Sequence, residues 1–290
     1  MWAKKVDIDV SQLRRLGIDE IALRKGHKDF VVVLSDLDTH ALIGIAPART
    51  HAAIETVLLA WGGEVLSNIE EVSIDLSGNY RGLVRRLMPH AEIVADRFHV
   101  MKLVTDELNQ ARNAFRRHPE DLPDGITPEA AQAALKNSKY AVLKPEEKLT
   151  DKQIEKLAEV KAVAPKLVLM HETKEAFRAV FEAQNGSDAL ISLLAWMAMA
   201  QSLYPNSVAT MKRWFGEILQ YFEHRTTSGV VEGINNRLKL IKRSGYGFRN
   251  FERFELRCLI SCGISLPRLH IHPGRARPFF KKMFEKSYFL

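Results

Sequence analysis

The sequence predicts an α/β protein: a mixed sheet made of a three-strand meander plus two crossover strands, then a large all-helical insertion ahead of one last site-bearing helix. Three observations predict it. Short β-branched runs alternate with turn residues up to Ile45, helix and strand patterns then alternate up to Ala95, and from Asp96 to about His224 apolar residues recur only at helical spacing.

Leu16 to Ile21, Phe30 to Leu34 and Ala41 to Ile45 read as three antiparallel strands, separated by Lys25-Gly26-His27 and by the turn-forming run from Asp36 to His40. Arg49 to Leu66 places Ile54, Val57, Leu58 and Trp61 on one helical face and ends at Gly62-Gly63 or shortly after. Val72 to Asp75 is a strand that stops in Ser77-Gly78-Asn79, Tyr80 to Met88 is a short helix ended by Pro89, and Glu92 to Ala95 is a further strand. The order βββαβαβ with a leading meander is the pattern of a ribonuclease-H-like core. Met101, Val104, Leu108, Ala111 and Phe115 then mark a long helix, and Pro119 to Pro128, Lys144-Pro145, Pro165, Asn185-Gly186 and Tyr204-Pro205-Asn206 cut the rest of the insertion into several helices. The expected division is 1–100 for the first part of the core, 101–225 for the insertion, 226–262 for the remainder of the core and 263–290 for a basic tail.

With 290 residues, 46% of them hydrophobic, the chain can bury a sizeable core, which excludes a disordered tail protein. The longest apolar stretch, Ala189 to Ala200, is interrupted by Ser192 and falls short of the roughly 20 residues a bilayer span needs. Met1 to Asp9 lacks the apolar block of a secretory signal, so the expected location is cytoplasmic, with no membrane partner. Two cysteines, Cys258 and Cys262, are too few for a disulfide framework or a four-cysteine zinc cage and are expected as buried helix residues.

The net charge of +7 is unevenly placed: from Asn235 onward there are 13 Lys/Arg and 3 Glu, leaving 29 cations against 32 acids before it. Such a block suits a phosphate-backbone partner, because Lys and Arg that displace condensed counterions drive binding; the alternative is a solvated basic surface kept for solubility. Thr226-Thr227-Ser228 supplies hydroxyls suited to capping a helix from about Val230 to Ile241. Steps of about 100° put Val230, Ile234, Leu238 and Ile241 on one face and Glu232, Asn236, Lys239 and Arg243 on the opposite one. An acid among phosphate-binding cations looks like a metal ligand; the alternative is an exposed face with ordinary charge neighbours.

Two earlier carboxylates bear on that choice. Asp19 lies in the first strand and Asp75 at the carboxyl end of the fourth, where open sheets present ligand-binding groups. With Glu232 packed beside them, three carboxylates suffice for two Mg²⁺ ions about 3.5–4 Å apart, the geometry of in-line phosphoryl transfer. Taken singly, each Asp reads as well as a turn or surface acid. Glu20 faces the other side of the strand if Asp19 faces the site, and is read as structural.

Five stretches carry a family resemblance: Gly17 to His27 (GIDEIALRKGH), Ser73 to Ser77 (SIDLS), Ala95 to Val100 (ADRFHV), Gly229 to Lys239 (GVVEGINNRLK) and Ile241 to Asn250 (IKRSGYGFRN). In this order they resemble the DDE transposases of bacterial insertion sequences, specifically the ISL-three family, over Leu16 to about Leu259. The resemblance implies a core that uses two Mg²⁺ ions, with Mn²⁺ as a substitute, to cut double-stranded DNA at element ends and direct the freed 3′-hydroxyl at a target phosphodiester. It implies Asp19, Asp75 and Glu232 as the metal-binding triad, with Asp96 the competitor for the second acid. His99, one turn beyond Asp96, then orients the site or touches the leaving phosphate, or else only makes a structural Asp–His bond at a helix start. Lys239, Lys242, Arg243 and Arg249 are the expected backbone contacts, and Tyr246 and Phe248 are expected to stack on an unpaired base, with Gly245 and Gly247 permitting close approach. Aromatic residues in such a loop are otherwise packed against the core.

Family members usually carry a cysteine-rich zinc segment and a helix-turn-helix ahead of the core, whereas fewer than twenty residues precede Asp19. The sequence therefore reads as an N-terminally truncated core. The expected function is a transposase catalytic domain working as a homodimer on DNA in the nucleoid; the alternatives are an inactive remnant that only binds DNA and a nuclease that hydrolyses without joining.

Overall fold

Runs of β-branched and apolar residues broken by turn formers fold into a meander of β1 (Arg15–Ala22), β2 (Phe30–Asp36) and β3 (Ala41–Ala46). In the computed structural model, residues 8–23, 29–225, 229–245, 248 and 250–262 are described. The β2–β3 turn is built by Asp36, whose Oδ1 accepts from the Asp38 N–H at 2.9 Å, and by His40, held at a φ of 63°.

The expected single helix from Arg49 to Leu66 is two helices, α1 (His51–Leu59) and α2 (Gly63–Asn68). Gly62 between them has a φ of 92°, a conformation that stops a helix and that only glycine adopts freely. Then come β4 (Glu71–Ile74), α3 (Gly78–Leu87) and β5 (Glu92–Ala95). The strand order is β3-β2-β1-β4-β5, antiparallel within the meander and parallel from β1 to β4 and from β4 to β5.

Side-chain alternation divides the core between the two faces of the sheet. Leu16, Ile18, Val32, Leu34, Val72 and Ile74 join one cluster with Ile54, Leu58, Tyr80 and Leu83 of the crossover helices. Ile21, Val31, Val33, Leu42 and Ile45 point the other way, into a second cluster.

As the apolar spacing predicts, the segment from α4 (Arg97–Arg117) through α5 (Pro128–Leu135), α6 (Lys139–Leu143), α7 (Asp151–Val163), α8 (Pro165–Val180), α9 (Gly186–Ala200), α10 (Pro205–Arg213) and α11 (Phe215–His224) contains no strand. Proline opens α5, α8 and α10, where its missing N–H costs nothing. The first cluster runs without a break from the sheet into these helices, through Val104 and Leu108 of α4 to Phe177, Trp196 and Phe222. Inside it Lys174 is 1% exposed, and its Nζ donates to the carbonyls of Val142 (3.1 Å) and Lys144 (2.8 Å) and pairs with the Glu175 carboxylate at 2.6 Å. The chain then returns to the open face of the sheet as α12 (Gly229–Ser244) and α13 (Phe251–Cys262). Ile234, Leu238, Ile241, Phe254 and Cys258 fill the second cluster. No helix among the described residues is long and apolar enough to cross a membrane.

Candidate active site

The parallel ladders align three acids. Ile18 pairs with Ile74, and Ile74 with Ala95. The next residues along the three strands are Asp19, Asp75 and Asp96, a row that lies within β1, where its pairing with β4 ends, and just past the carboxyl ends of β4 and β5. Asp75 lies one residue past the end of β4 rather than within it.

Each acid is held differently. Asp19 Oδ1 accepts from the Glu20 N–H at 2.7 Å and its Oδ2 accepts from the Asn235 amide of α12 at 2.5 Å. Asp75 Oδ1 accepts from the Ser77 N–H at 3.0 Å. Asp96 is the N-cap of α4: one oxygen accepts from the Phe98 N–H at 2.8 Å and the other meets Nδ1 of His99 at 3.2 Å. The far ring nitrogen of His99, Nε2, is 4.0 Å from Asp19 Oδ1, so the imidazole bridges the outer acid and the first one.

Burial and crowding shape the charges. Burial raises the Asp19 carboxyl above its ordinary range, although the Glu20 N–H and His99 oppose the shift. Burial pushes Asp75 up to about 6, with the charges of Glu20 and Asp19 adding to it and His99 opposing it. For His99 burial disfavours the imidazolium, but the Asp96 bond and the charges of Asp96, Asp19 and Asp75 outweigh it, and its pKa is raised. Glu20 faces the other side of β1, as strand alternation requires, with Arg49 Nη1 at 3.6 Å. Its charge nevertheless reaches Asp75 and, after burial, helps to hold the Tyr80 hydroxyl protonated.

Glu232 stands exposed in the first turn of α12, one turn before Asn235. Among the described residues no three His, Cys, Asp or Glu side chains converge closely enough to hold an ion. The chemistry still fits a hard divalent cation: Asp19 and Asp75 are crowded carboxylates at the site, oxygen donors whose repulsion a cation would relieve.

The apolar stripe of α12 packs as expected through Ile234, Leu238 and Ile241, while the side chain of Val230 and the capping residues Thr226 to Ser228 lie outside what is described. Lys239 and Arg243 are exposed on the opposite face. Lys242 departs from expectation: its Nζ donates to the Ala22 carbonyl at 2.9 Å. Phe248 departs further, because its half-buried ring packs against Phe254 at 5.2 Å instead of facing a partner. Tyr246, Gly247 and Arg249 lie outside the described residues. Cys258 is buried in α13, where burial pushes its thiol up to about 12, and Cys262 is half-buried beside it.

Sequence reasoning missed Asn235. Asn236 is exposed with Glu232 on the charged face, as the spacing predicts, whereas Asn235, to which the sequence reading gave no role, turns to the sheet. The offset of three from Glu232, which puts both on one side of a helix, was the available signal.

A five-strand mixed sheet carrying a row of acids at its carboxyl edge, with a glutamate-bearing helix laid over one face, defines an α/β domain with an acidic site at the sheet edge. A profile of transposases of the ISL-three type matches residues 16–258, and the chain belongs to that family. It is 29% identical to the transposase for insertion sequence element IS1557 of Mycobacterium tuberculosis, over 94% of this chain and 66% of that protein. It is 27% identical to the transposase for insertion sequence element IS1001 of Bordetella parapertussis, over 86% of this chain and 61% of that protein. The chain thus spans just under two thirds of the length of these curated relatives.

Proposed function

We propose that this chain is the catalytic core of a DDE transposase, on a ribonuclease-H-like fold, that cuts double-stranded DNA at element ends and joins the freed 3′-hydroxyl to a target phosphodiester. The observation that carries the reading is the side-by-side placement of Asp19 on β1 and Asp75 just past the end of β4, with α12 hydrogen-bonded to Asp19 through Asn235. That arrangement brings a helix distant in sequence, with Glu232 one turn away, to the edge where the two aspartates stand.

Asp19, Asp75 and Glu232 are the residues that would hold two Mg²⁺ ions, with Mn²⁺ as a substitute. What such ions supply is activation of the attacking oxygen and stabilisation of the leaving one. Asp75 is the better second ligand than Asp96. Asp75 follows β4, the strand that pairs with β1, whereas Asp96 follows β5, one strand further out, and serves as the N-cap of α4. His99, held by Asp96, presents its far nitrogen toward Asp19 and the bound phosphate. In the cutting step a water oxygen bonds to phosphorus as the P–O3′ bond breaks. In joining, that 3′-oxygen attacks a target phosphorus and one phosphodiester replaces another, with no covalent protein intermediate. Lys239 and Arg243, exposed on α12, are read as DNA-backbone contacts, and Arg249 is a further candidate from the sequence alone. We read residues 1–100 and 226–262 as the core and 101–225 as its insertion, in a nucleoid protein that acts as a homodimer because two ends are joined.

The test is Mn²⁺-dependent nicking of supercoiled plasmid. The parent chain is expected to nick and Glu232→Gln to lose nicking while keeping salt-sensitive DNA binding, since the change removes a ligand and no cation. DNA binding without nicking by the parent would overturn the catalytic reading.

A further inference from the structure

We infer that Asn235 and Lys242 are positioning residues, a two-point polar lock that sets the height of α12 along β1 and thereby the place of Glu232 beside Asp19; the inference rests on the transposase reading above. Both side chains leave the same face of α12, seven residues apart, and both end on β1: the Asn235 amide on Asp19 Oδ2 at 2.5 Å, the Lys242 ammonium on the Ala22 carbonyl at 2.9 Å. The two spacings match. Seven helical residues rise about 10.5 Å and three strand residues about 10 Å. Helix and strand therefore run alongside each other in the same direction, and a slip of one helical turn would carry Glu232 about 5.4 Å away and break both bonds.

Packing alone does not choose this register. Among the described residues Val231, Ile234, Leu238 and Ile241 are the other buried residues of α12, and such apolar contacts are non-directional. Asn235 is 5% exposed, and its Oδ1 is buried with no hydrogen-bond partner among the described residues, so the amide is buried at a desolvation cost that an apolar side chain does not carry. What the amide adds is direction. With the Glu20 N–H on Oδ1 and the Asn235 amide on Oδ2, the Asp19 carboxylate is held at both oxygens, and a donor bonded to a metal-binding carboxylate orients it for the ion. Lys242, read from sequence as a phosphate contact, faces the strand instead.

Asn235→Ala, Lys242→Met and Lys242→Arg are compared with the parent by calorimetric titration with Mn²⁺, thermal melting, and DNA binding over a range of salt. Asn235→Ala and Lys242→Met are expected to weaken Mn²⁺ binding at least tenfold, the usual size of a change behind a metal ligand. Lys242→Arg, which keeps a donor, is expected to restore it, and Lys242→Met to leave the salt slope of DNA binding unchanged. A slope reduced by about one in Lys242→Met with undiminished Mn²⁺ binding would make Lys242 a phosphate contact and overturn the lock. A lowered melting temperature with unchanged Mn²⁺ affinity in both variants would make the two residues merely structural. Should Asn235→Ala not fold, the Lys242 pair decides. A parent chain that binds no Mn²⁺ would overturn the catalytic reading and this inference together, whereas parent binding matched by both variants would overturn this inference alone.

Discussion

Asp75 follows Ile74, the residue paired with Ile18 in the parallel β1–β4 ladder, and so takes the next place across the sheet from Asp19. The sheet thus forces two carboxylates together where burial already disfavours their charges.

Burial first, and then the charges of Glu20 and Asp19, cost stability at neutral pH. Asp75 titrates at about 6 in the folded chain against an ordinary 3.8, so its favourable contribution is fully present below 3.8 and is lost as pH rises through 6. Asp75→Asn is therefore expected to raise the melting temperature of the metal-free chain at pH 7.5 by a few degrees, and to give no gain at pH 4. Melting in a chelator at the two pH values checks it.

Gly17 lets α12 approach β1. A Cβ there would lie 2.5 Å from Ser35 Oγ, 2.8 Å from Leu37 Cδ2 and 3.3 Å from Val231 of α12. Gly17→Ala is expected to destabilise the chain by about 1–3 kcal/mol, read from the urea midpoint, and to weaken Mn²⁺ binding by shifting the helix that carries Glu232.

His171 is 1% exposed and its ring nitrogens have no hydrogen-bond partner among the described residues. Burial, aided by Lys174, lowers its pKa to about 4 from an ordinary 6.5. The folded chain refuses a proton that the unfolded chain accepts, so stability present above 6.5 is lost as pH falls toward 4, by on the order of 3 kcal/mol. His171→Leu is expected to flatten that part of the profile, measured by urea unfolding at pH 7, 5.5 and 4.5.

Lys174 closes the end of α6 by binding the Val142 and Lys144 carbonyls. Lys174→Met leaves these buried carbonyls without a donor and Glu175 with Arg178 as its remaining cation, and is expected to cost about 1–3 kcal/mol in urea unfolding, with DNA binding unchanged.

Much of the architecture was legible locally. The meander, the two crossover strands and the strand-free stretch follow from apolar periodicity and from turn residues acting over a few positions, and the Ile234, Leu238 and Ile241 stripe was readable the same way. The break at Gly62-Gly63 is legible, but the second helix after it is not, because glycine marks a stop without telling whether another helix follows. Phe248 was misread because a loop aromatic reveals its partner only when Phe254 is folded against it.

By itself the sequence determined the element order, the charge asymmetry, the family and which carboxylates are candidates, because these reside in local spacing and motif. The tertiary structure alone decided that Asn235 meets Asp19, that Lys242 ends on Ala22, and that the Glu107 carboxylate caps α10 through the N–H and hydroxyl of Ser207. Those contacts join residues about 100 to 220 positions apart, whose partners are set by how elements pack and not by any spacing along the chain.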